Sequence, residues 1–182
     1  DVIAWLKSEM RMMLDEEIAR AILVGDGRSA SDDDKINEQC IRPIYTDDNF
    51  FAHRVTVTRG ADPDATAKNF IRASVKSRKE YKGSGQPTLY TTEDVLTDML
   101  LLEDDIGHKL YKSEAELATT LRVSKIVTVP VMENLSKDGK ELMGIIVNLT
   151  DYNVGADKGG AAAMFDDFDI DYNQMKYLIE TR

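Results

Sequence analysis

From Val2 to Val24, Ile3, Leu6, Met10, Leu14, Ile18 and Ile22 recur at spacings of three and four, while Lys7, Arg11, Asp15 and Arg20 lie off that stripe. This is the period of an α-helix with one covered face. At about 1.5 Å per residue the helix would be about 35 Å long, the width of a small domain. Arg11 with Asp15 and Glu16 with Arg20 stand four apart with opposite charge, and Gly25 tolerates the left-handed backbone that ends a helix. Met10, Met12 and Met13 read as core filling at helical spacing. Gly25 to Asn37, rich in Gly, Ser and Asp, predicts an exposed loop.

Further along, Cys40 to Tyr45 and His53 to Thr58 predict strands, the second alternating around Val55 and Val57. Asp62-Pro63-Asp64 opens a helix to about Tyr81, with proline tolerated in the first turn and acids at the positive end of the dipole. Its apolar face is thin (Ala67, Phe70, Ile71, Ser74, Val75), and Lys68, Arg72, Lys76, Arg78, Lys79 and Lys82 make it the basic stretch of the chain. Thr88 to Tyr90 predicts a short strand leading into Thr91-Thr92-Glu93-Asp94, which caps a helix through Leu101. Ser113-Glu114-Ala115-Glu116 is a capping box for a helix to Leu121. Val123 to Met132 predicts a buried strand weakened at Pro130, and Asp138-Gly139 predicts a hairpin turn joining it to Leu142 to Leu149. Gly155 to Ala163 carries no regular pattern. At the end, Phe168, Ile170 and Tyr172 share one strand face while Met175, Tyr177 and Ile179 occupy odd positions, which requires a turn or bulge at Asn173-Gln174. Helices and strands mixed without a βαβ repeat predict the α+β class, and no internal repeat is evident.

The chain has 182 residues, enough for one domain or two small ones burying roughly 70% of their unfolded surface. With 42% apolar and 31% charged residues it has the composition of a folded protein. Its 23 Lys and Arg against 33 Asp and Glu leave a net charge of −10, which disfavours duplex nucleic acid and anionic membranes as partners. The single cysteine, Cys40, excludes an internal disulfide, and His53 and His108 complete a poor set of metal ligands. No apolar run reaches the roughly 18 residues of a membrane span, and the first residues do not read as a signal peptide. The expectation is a protein made and kept in a cytoplasm, where Asn134-Leu135-Ser136 and Asn148-Leu149-Thr150 are chance matches to the glycosylation pattern.

Catalytic chemistry is hard to find. Gly25-Asp26-Gly27-Arg28-Ser29 follows a helix and lacks Gly-Lys-Ser/Thr, so it reads as a helix cap rather than a phosphate loop. Asp166, Asp167, Asp169 and Asp171 could gather a hard cation for a metal-dependent hydrolase. The simpler reading places Asp167, Asp169 and Asp171 on a solvated strand face opposite Phe168, Ile170 and Tyr172. Neither histidine lies in a nucleophile motif. The basic helix from Lys68 to Lys82 could meet RNA, with Phe70 and Tyr81 stacking, or could form a solvated face or subunit contact, the reading preferred here. No catalytic, cofactor or metal residue is assigned.

Three stretches nevertheless follow one another in a familiar order. The helix Met10 to Val24 runs into Gly25-Asp26-Gly27. Thr88 to Tyr111 gives a strand, a Thr-capped helix, Leu101-Leu102-Glu103-Asp104 and then Gly107 before Leu110-Tyr111. Val147 to Arg182 supplies late strands. In this order the chain resembles the major capsid proteins of tailed bacteriophages, whose shell-forming fold is shared with bacterial encapsulins. The three stretches look like that family's long spine helix, its axial domain and its returning strands.

The resemblance implies an α+β capsid fold, a spine helix over an antiparallel sheet plus a mixed axial domain. It implies residues 1–60 as the spine helix and adjoining strands of a peripheral domain, 61–145 as the axial domain and 146–182 as returning peripheral strands. The family's N-terminal arm and extended hairpin loop would precede the spine helix, so the chain reads as a core fragment lacking both. The implied function is structural and not enzymatic: a subunit that self-assembles, without cofactors, into pentamers and hexamers of an icosahedral head enclosing DNA. An encapsulin-like compartment shell is the nearest alternative. Gly107, His108 and Lys109 are expected at the subunit interface nearest the capsomer axis. Implied partners are copies of the same chain, scaffolding and portal proteins, and packaged DNA in nonspecific proximity, with no membrane. The implied location is the virion, after synthesis in the bacterial host cytoplasm. Some members weld subunits through a Lys-Asn isopeptide bond, but no motif places that chemistry here and no cross-link is expected.

Overall fold

A computed structural model of the chain describes residues 2–25, 31, 41–155 and 161–181. In chain order the elements are α1 (Val2–Leu23), α2 (Pro63–Ser77), β1 (Thr88–Thr91), α3 (Glu93–Leu100), α4 (Glu114–Leu121), β2 (Ile126–Thr128), β3 (Ser136–Lys137), β4 (Lys140–Glu141), β5 (Gly144–Val147), β6 (Ala163–Asp169) and β7 (Gln174–Glu180). Single 3-10 turns occupy Arg78–Glu80, Pro130–Met132 and Leu149–Asp151. Helices are mixed with small sheets, so the chain is α+β. It forms two compact units, Asp1–Ile41 with Asn153–Arg182, and Arg42–Tyr152.

In the first unit α1 ends as its sequence requires. Val24 and Gly25 both donate their amides to the Arg20 carbonyl (2.9 and 2.7 Å), and Gly25 has φ +79°. The expected loop beyond it lies largely outside the described residues, as does Cys40. Arg20 pairs with Glu17 (3.9 Å) rather than with Glu16. The predicted apolar stripe is only half-covered. Leu6, Met10, Leu14 and Ile22 are half-buried, Ile3 and Ile18 remain exposed, and within the helix only Leu23 is buried. Met12 and Met13 are exposed and are not core filling. The reason is the narrow partner: a two-stranded antiparallel ribbon of β6 and β7, with β7 against α1 and the Lys7 ammonium 5.6 Å from the Tyr177 ring centroid.

The ribbon register sets Met164 opposite Ile179, Asp166 opposite Tyr177 and Phe168 opposite Met175, one face on which even positions of β6 meet odd positions of β7. This is the parity change expected from the sequence. The turn that produces it spans residues 170–173 and ends on Asn173 at φ +49°. Ile170 and Tyr172 therefore sit in the turn and not on the strand face with Phe168.

The second unit is built from locally capped helices. Ala65 donates to Asp62 Oδ1 (2.7 Å), Val95 to Thr92 Oγ1 (3.4 Å) and Glu116 to Ser113 Oγ (3.3 Å), fixing the starts of α2, α3 and α4. The Glu116 carboxylate reaches back to the Lys112 amide (2.9 Å), so this capping box bonds one residue ahead of the cap. The helices pack Ala67, Phe70, Ile71, Leu96, Met99, Leu117 and Leu121 against Leu89 and Ile126 of a three-stranded sheet ordered β2-β1-β5. β1 is its centre, parallel to β2 and antiparallel to β5, and α3 and α4 provide the crossover that parallel strands need.

Three strand expectations fail in this unit. Residues 42–46 form no strand: turns hold them, Arg42 Nη2 donates to Asp47 Oδ1 (2.8 Å), and the Arg54 guanidinium binds Asn49 Oδ1 and the Tyr45 and Asp47 carbonyls. Residues 53–60 also form no ladder; the segment is tied down at two points, where Asn69 Nδ2 donates to the Thr58 carbonyl (3.0 Å) and Lys140 Nζ to Thr56 Oγ1 (3.2 Å). Of residues 123–132 only Ile126–Thr128 pairs, since Pro130 lacks an amide donor and starts a 3-10 turn. Asp138 (φ +54°) and Gly139 (φ +71°) do turn a hairpin, but it joins the two-residue strands β3 and β4, while β5 pairs with β1.

Candidate functional site

The turn carrying Gly107, His108 and Lys109 is organised by one carboxylate. Asp104 Oδ1 accepts from the amides of Ile106 (3.0 Å) and His108 (2.9 Å), while its own amide donates to the His108 carbonyl (2.8 Å). His108 Nδ1 lies 3.6 Å from Asp104 Oδ2. Glu103 and Lys109 form an antiparallel bridge, and the Leu110 amide donates to the carbonyl of fully buried Leu102 (2.8 Å), tying the turn to the core. Gly107 has φ +81° with nothing within 4 Å of an added Cβ, so glycine serves the backbone there and not a close approach. Gly107, His108 and Lys109 are all exposed, beside Ile106 at 78% exposure. A short turn held from within presents one apolar and two basic-type side chains to water.

A second polar cluster had no signal in the sequence. Asp151 uses both carboxylate oxygens on Ser84, accepting from its amide (Oδ2, 2.7 Å) and its hydroxyl (Oδ1, 2.6 Å). Asn148 Nδ2 and Tyr81 OH donate to the Ser84 carbonyl (3.0 and 3.3 Å). An added Cβ on Gly83 would lie 2.5 Å from Tyr81 OH and 2.8 Å from Asp151 Oδ2, so the clamp requires glycine there. The Arg78 guanidinium stacks 4.4 Å from the Tyr81 ring centroid. Burial raises the Tyr81 phenol above its usual value and the Asp151 charge adds to this, with Arg78 opposing. With both oxygens of Asp151 engaged, the arrangement pins residues 83–84 to the 148–151 turn. The partners are more than sixty positions apart, beyond any spacing rule.

The four aspartates do not converge. Asp166 shares a ribbon face with Tyr177, Asp167 and Asp169 lie on the opposite face, and Asp171 is in the turn. Asp169 is ion-paired with Lys176 and accepts from the Asp171 amide (3.1 Å). Lys176, followed by hydrogen bonds from Asp171, Tyr172 and Gln174, holds its carboxyl below the usual range. Among the described residues no group of three or more His, Cys, Asp and Glu is placed to hold a metal ion. His53 is exposed on an irregular segment. Phe70 is buried in the core and cannot stack on a base.

What the surface does offer is apolar area. Trp5 is 63% exposed, with Val2, Met12 and Met13 also bare on α1, and the ribbon exposes Phe165 (51%) and Leu178 (56%) directly opposite one another. Phe50 and Phe51 stack edge to face at 5.0 Å on an exposed turn of the second unit. Where such side chains join into one patch, a surface marks a place for another molecule, whereas scattered single ones do not. No helix among the described residues is long and apolar enough to cross a membrane. No family model, curated protein or solved structure matches the chain.

Proposed function

We propose that this chain is a shell-forming subunit of the tailed-phage major capsid type, which closes into pentamers and hexamers of an icosahedral head around DNA. The observation that carries the reading is the first unit: a 22-residue helix backed by an antiparallel ribbon from the last residues, with large apolar side chains left in water on both. A rod about 33 Å long suits a stiff wall element, and the bare apolar groups suit contacts completed by neighbouring copies. Such contacts are heterologous and close into rings by symmetry. Residues 61–145 then serve as the axial domain, with the Gly107-His108-Lys109 turn toward the capsomer axis. Its internal hydrogen bonds favour a fixed tip over a floppy one. The net charge of −10 keeps packaged DNA off the wall except for nonspecific proximity. Scaffolding and portal proteins are the further partners of this role, and the virion is its location.

Sedimentation velocity on the product of the complete reading frame containing this sequence tests the reading. Rings and far larger closed particles sedimenting ahead of the subunit are expected. A single small species at every concentration, with or without scaffold, would refute it.

A further inference from the structure

Most side chains on the outer face of the ribbon are exposed, and their chemistry names an occupant. Ala163, Phe165, Asp167 and Asp169 of β6 share that face with Gln174, Lys176, Leu178 and Glu180 of β7. Phe165 and Leu178 form a cross-strand pair in water, while the other face half-buries Met164, Tyr177 and Ile179 and exposes Phe168 opposite Met175. The outer face carries Asp167, Asp169 and Glu180 with Lys176, which is already paired with Asp169, while Asp171 stands at the adjoining turn and Asp166 on the other face. The complement is α2. Lys68, Arg72 and Lys76 repeat every four residues, all exposed, and none has an ion-pair partner among the described residues. From Pro63 to Lys82 six cations stand against only Asp64 and Glu80.

Cations four apart on a helix repeat every ~6 Å along its axis. Same-face acids two apart on a strand repeat every ~6.7 Å. Asp169 is taken up by Lys176, so Asp167 on the strand and Asp171 at the turn are the acids left to face Lys68, Arg72 and Lys76. An uncompensated cation row on a chain of net charge −10 is better matched by an acidic protein surface than by phosphate, which the rest of the chain would repel.

We infer that the acidic outer face of the β6–β7 ribbon of one copy docks on the Lys68-Arg72-Lys76 row of α2 in the next copy, a head-to-tail contact seated on the Phe165–Leu178 pair. The inference adds a named contact to the self-assembly reading and rests on it only for the premise that copies associate. Two surfaces that differ from each other make a heterologous interface, the kind that builds rings.

A charge-swap mixture tests it. One variant carries Arg72→Glu and Lys76→Glu, the other Asp167→Lys and Asp171→Lys, all exposed positions outside the core. Circular dichroism melts confirm that both fold as wild type does, and nuclease treatment removes nucleic acid. In concentration-dependent sedimentation each variant alone should associate at least tenfold more weakly than wild type, because like charges now face each other. An equimolar mixture should regain association through the reversed pair. Loss in both variants without rescue in the mixture would overturn the contact between copies, as would unchanged association in either variant. Retained self-association accompanied by loss of single-stranded oligonucleotide binding in the Arg72→Glu, Lys76→Glu variant would assign the row to nucleic acid and also overturn it. Rescue without closed particles would sink the shell reading alone, and closed particles indifferent to the swap would sink this contact alone.

Discussion

Thr91 offers a sharp test of how the second unit is held together. It sits at the end of the central strand β1, fully buried, with its hydroxyl donating to the Met143 carbonyl at 2.6 Å just where β5 begins. Thr91→Val keeps the branched shape but sets a methyl against that carbonyl. Leaving a buried acceptor without its donor costs about 1–3 kcal/mol, and the added apolar group returns up to about 0.8 kcal/mol. The expected net loss is about 1–2 kcal/mol, or roughly 4–12 °C in Tm for a unit of this size. Thr91→Ser keeps the donor and loses one methyl, for about 1 kcal/mol. Urea unfolding by far-UV circular dichroism measures the totals, and amide exchange at Leu89 and Ile146 localises the change to the β1–β5 ladder. The reasoning fails if Thr91→Val is as stable as wild type while Thr91→Ser is destabilised.

Other consequences follow from single contacts. An added Cβ on Gly144 would lie 3.0 Å from Leu89 Cδ1, 3.1 Å from Phe70 Cζ and 3.2 Å from the Tyr90 carbonyl, so Gly144→Ala should cost about 1–3 kcal/mol in a denaturant melt. Tyr45, Tyr81, Tyr90, Tyr111 and Tyr152 all have phenols raised, chiefly by burial, so the folded state holds its protons longer than the unfolded one. That contribution is whole below pH ~10 and is lost as pH rises through the higher folded-state values, so alkaline melts should show falling stability together with late phenolate absorbance. The lowered Asp169 carboxyl has the opposite sign. Its stabilisation is present above pH ~4 and lost as pH falls through the folded value, loosening the 170–173 turn, and Asp169→Asn should abolish that acid-dependent change in amide exchange.

Elements whose determinants lie within a few residues were legible in the sequence. Asp62, Thr92 and Ser113 each cap a helix by bonding an amide three residues on, and Asp138-Gly139 adopts the paired left-handed conformations its composition suggests. The alternation around Phe168 and Met175 showed the ribbon's parity change for the same reason, though the turn occupies 170–173 and Gln174 already belongs to β7. Long-range partners were not legible. β5 chooses β1, with Gly144 opposite Thr91 fifty-three positions earlier, over its sequence neighbour, and the 42–58 segment is held by Arg42, Arg54, Asn69 and Lys140 side chains instead of a ladder. Periodicity gave the direction of the α1 stripe but not its cover, which depends on how wide a surface the late residues supply. At the 102–110 turn Gly107, His108 and Lys109 were singled out only through the resemblance, and Asp104 as the organiser of His108 was not legible.

Cryo-electron microscopy of particles formed by the complete reading frame product tests the central claim most directly. The account predicts closed icosahedral shells in which α1 lies along the wall and residues 61–145 surround the fivefold and sixfold axes. Shells with those residues away from the axes, or preparations in which no rings or shells form, would contradict it.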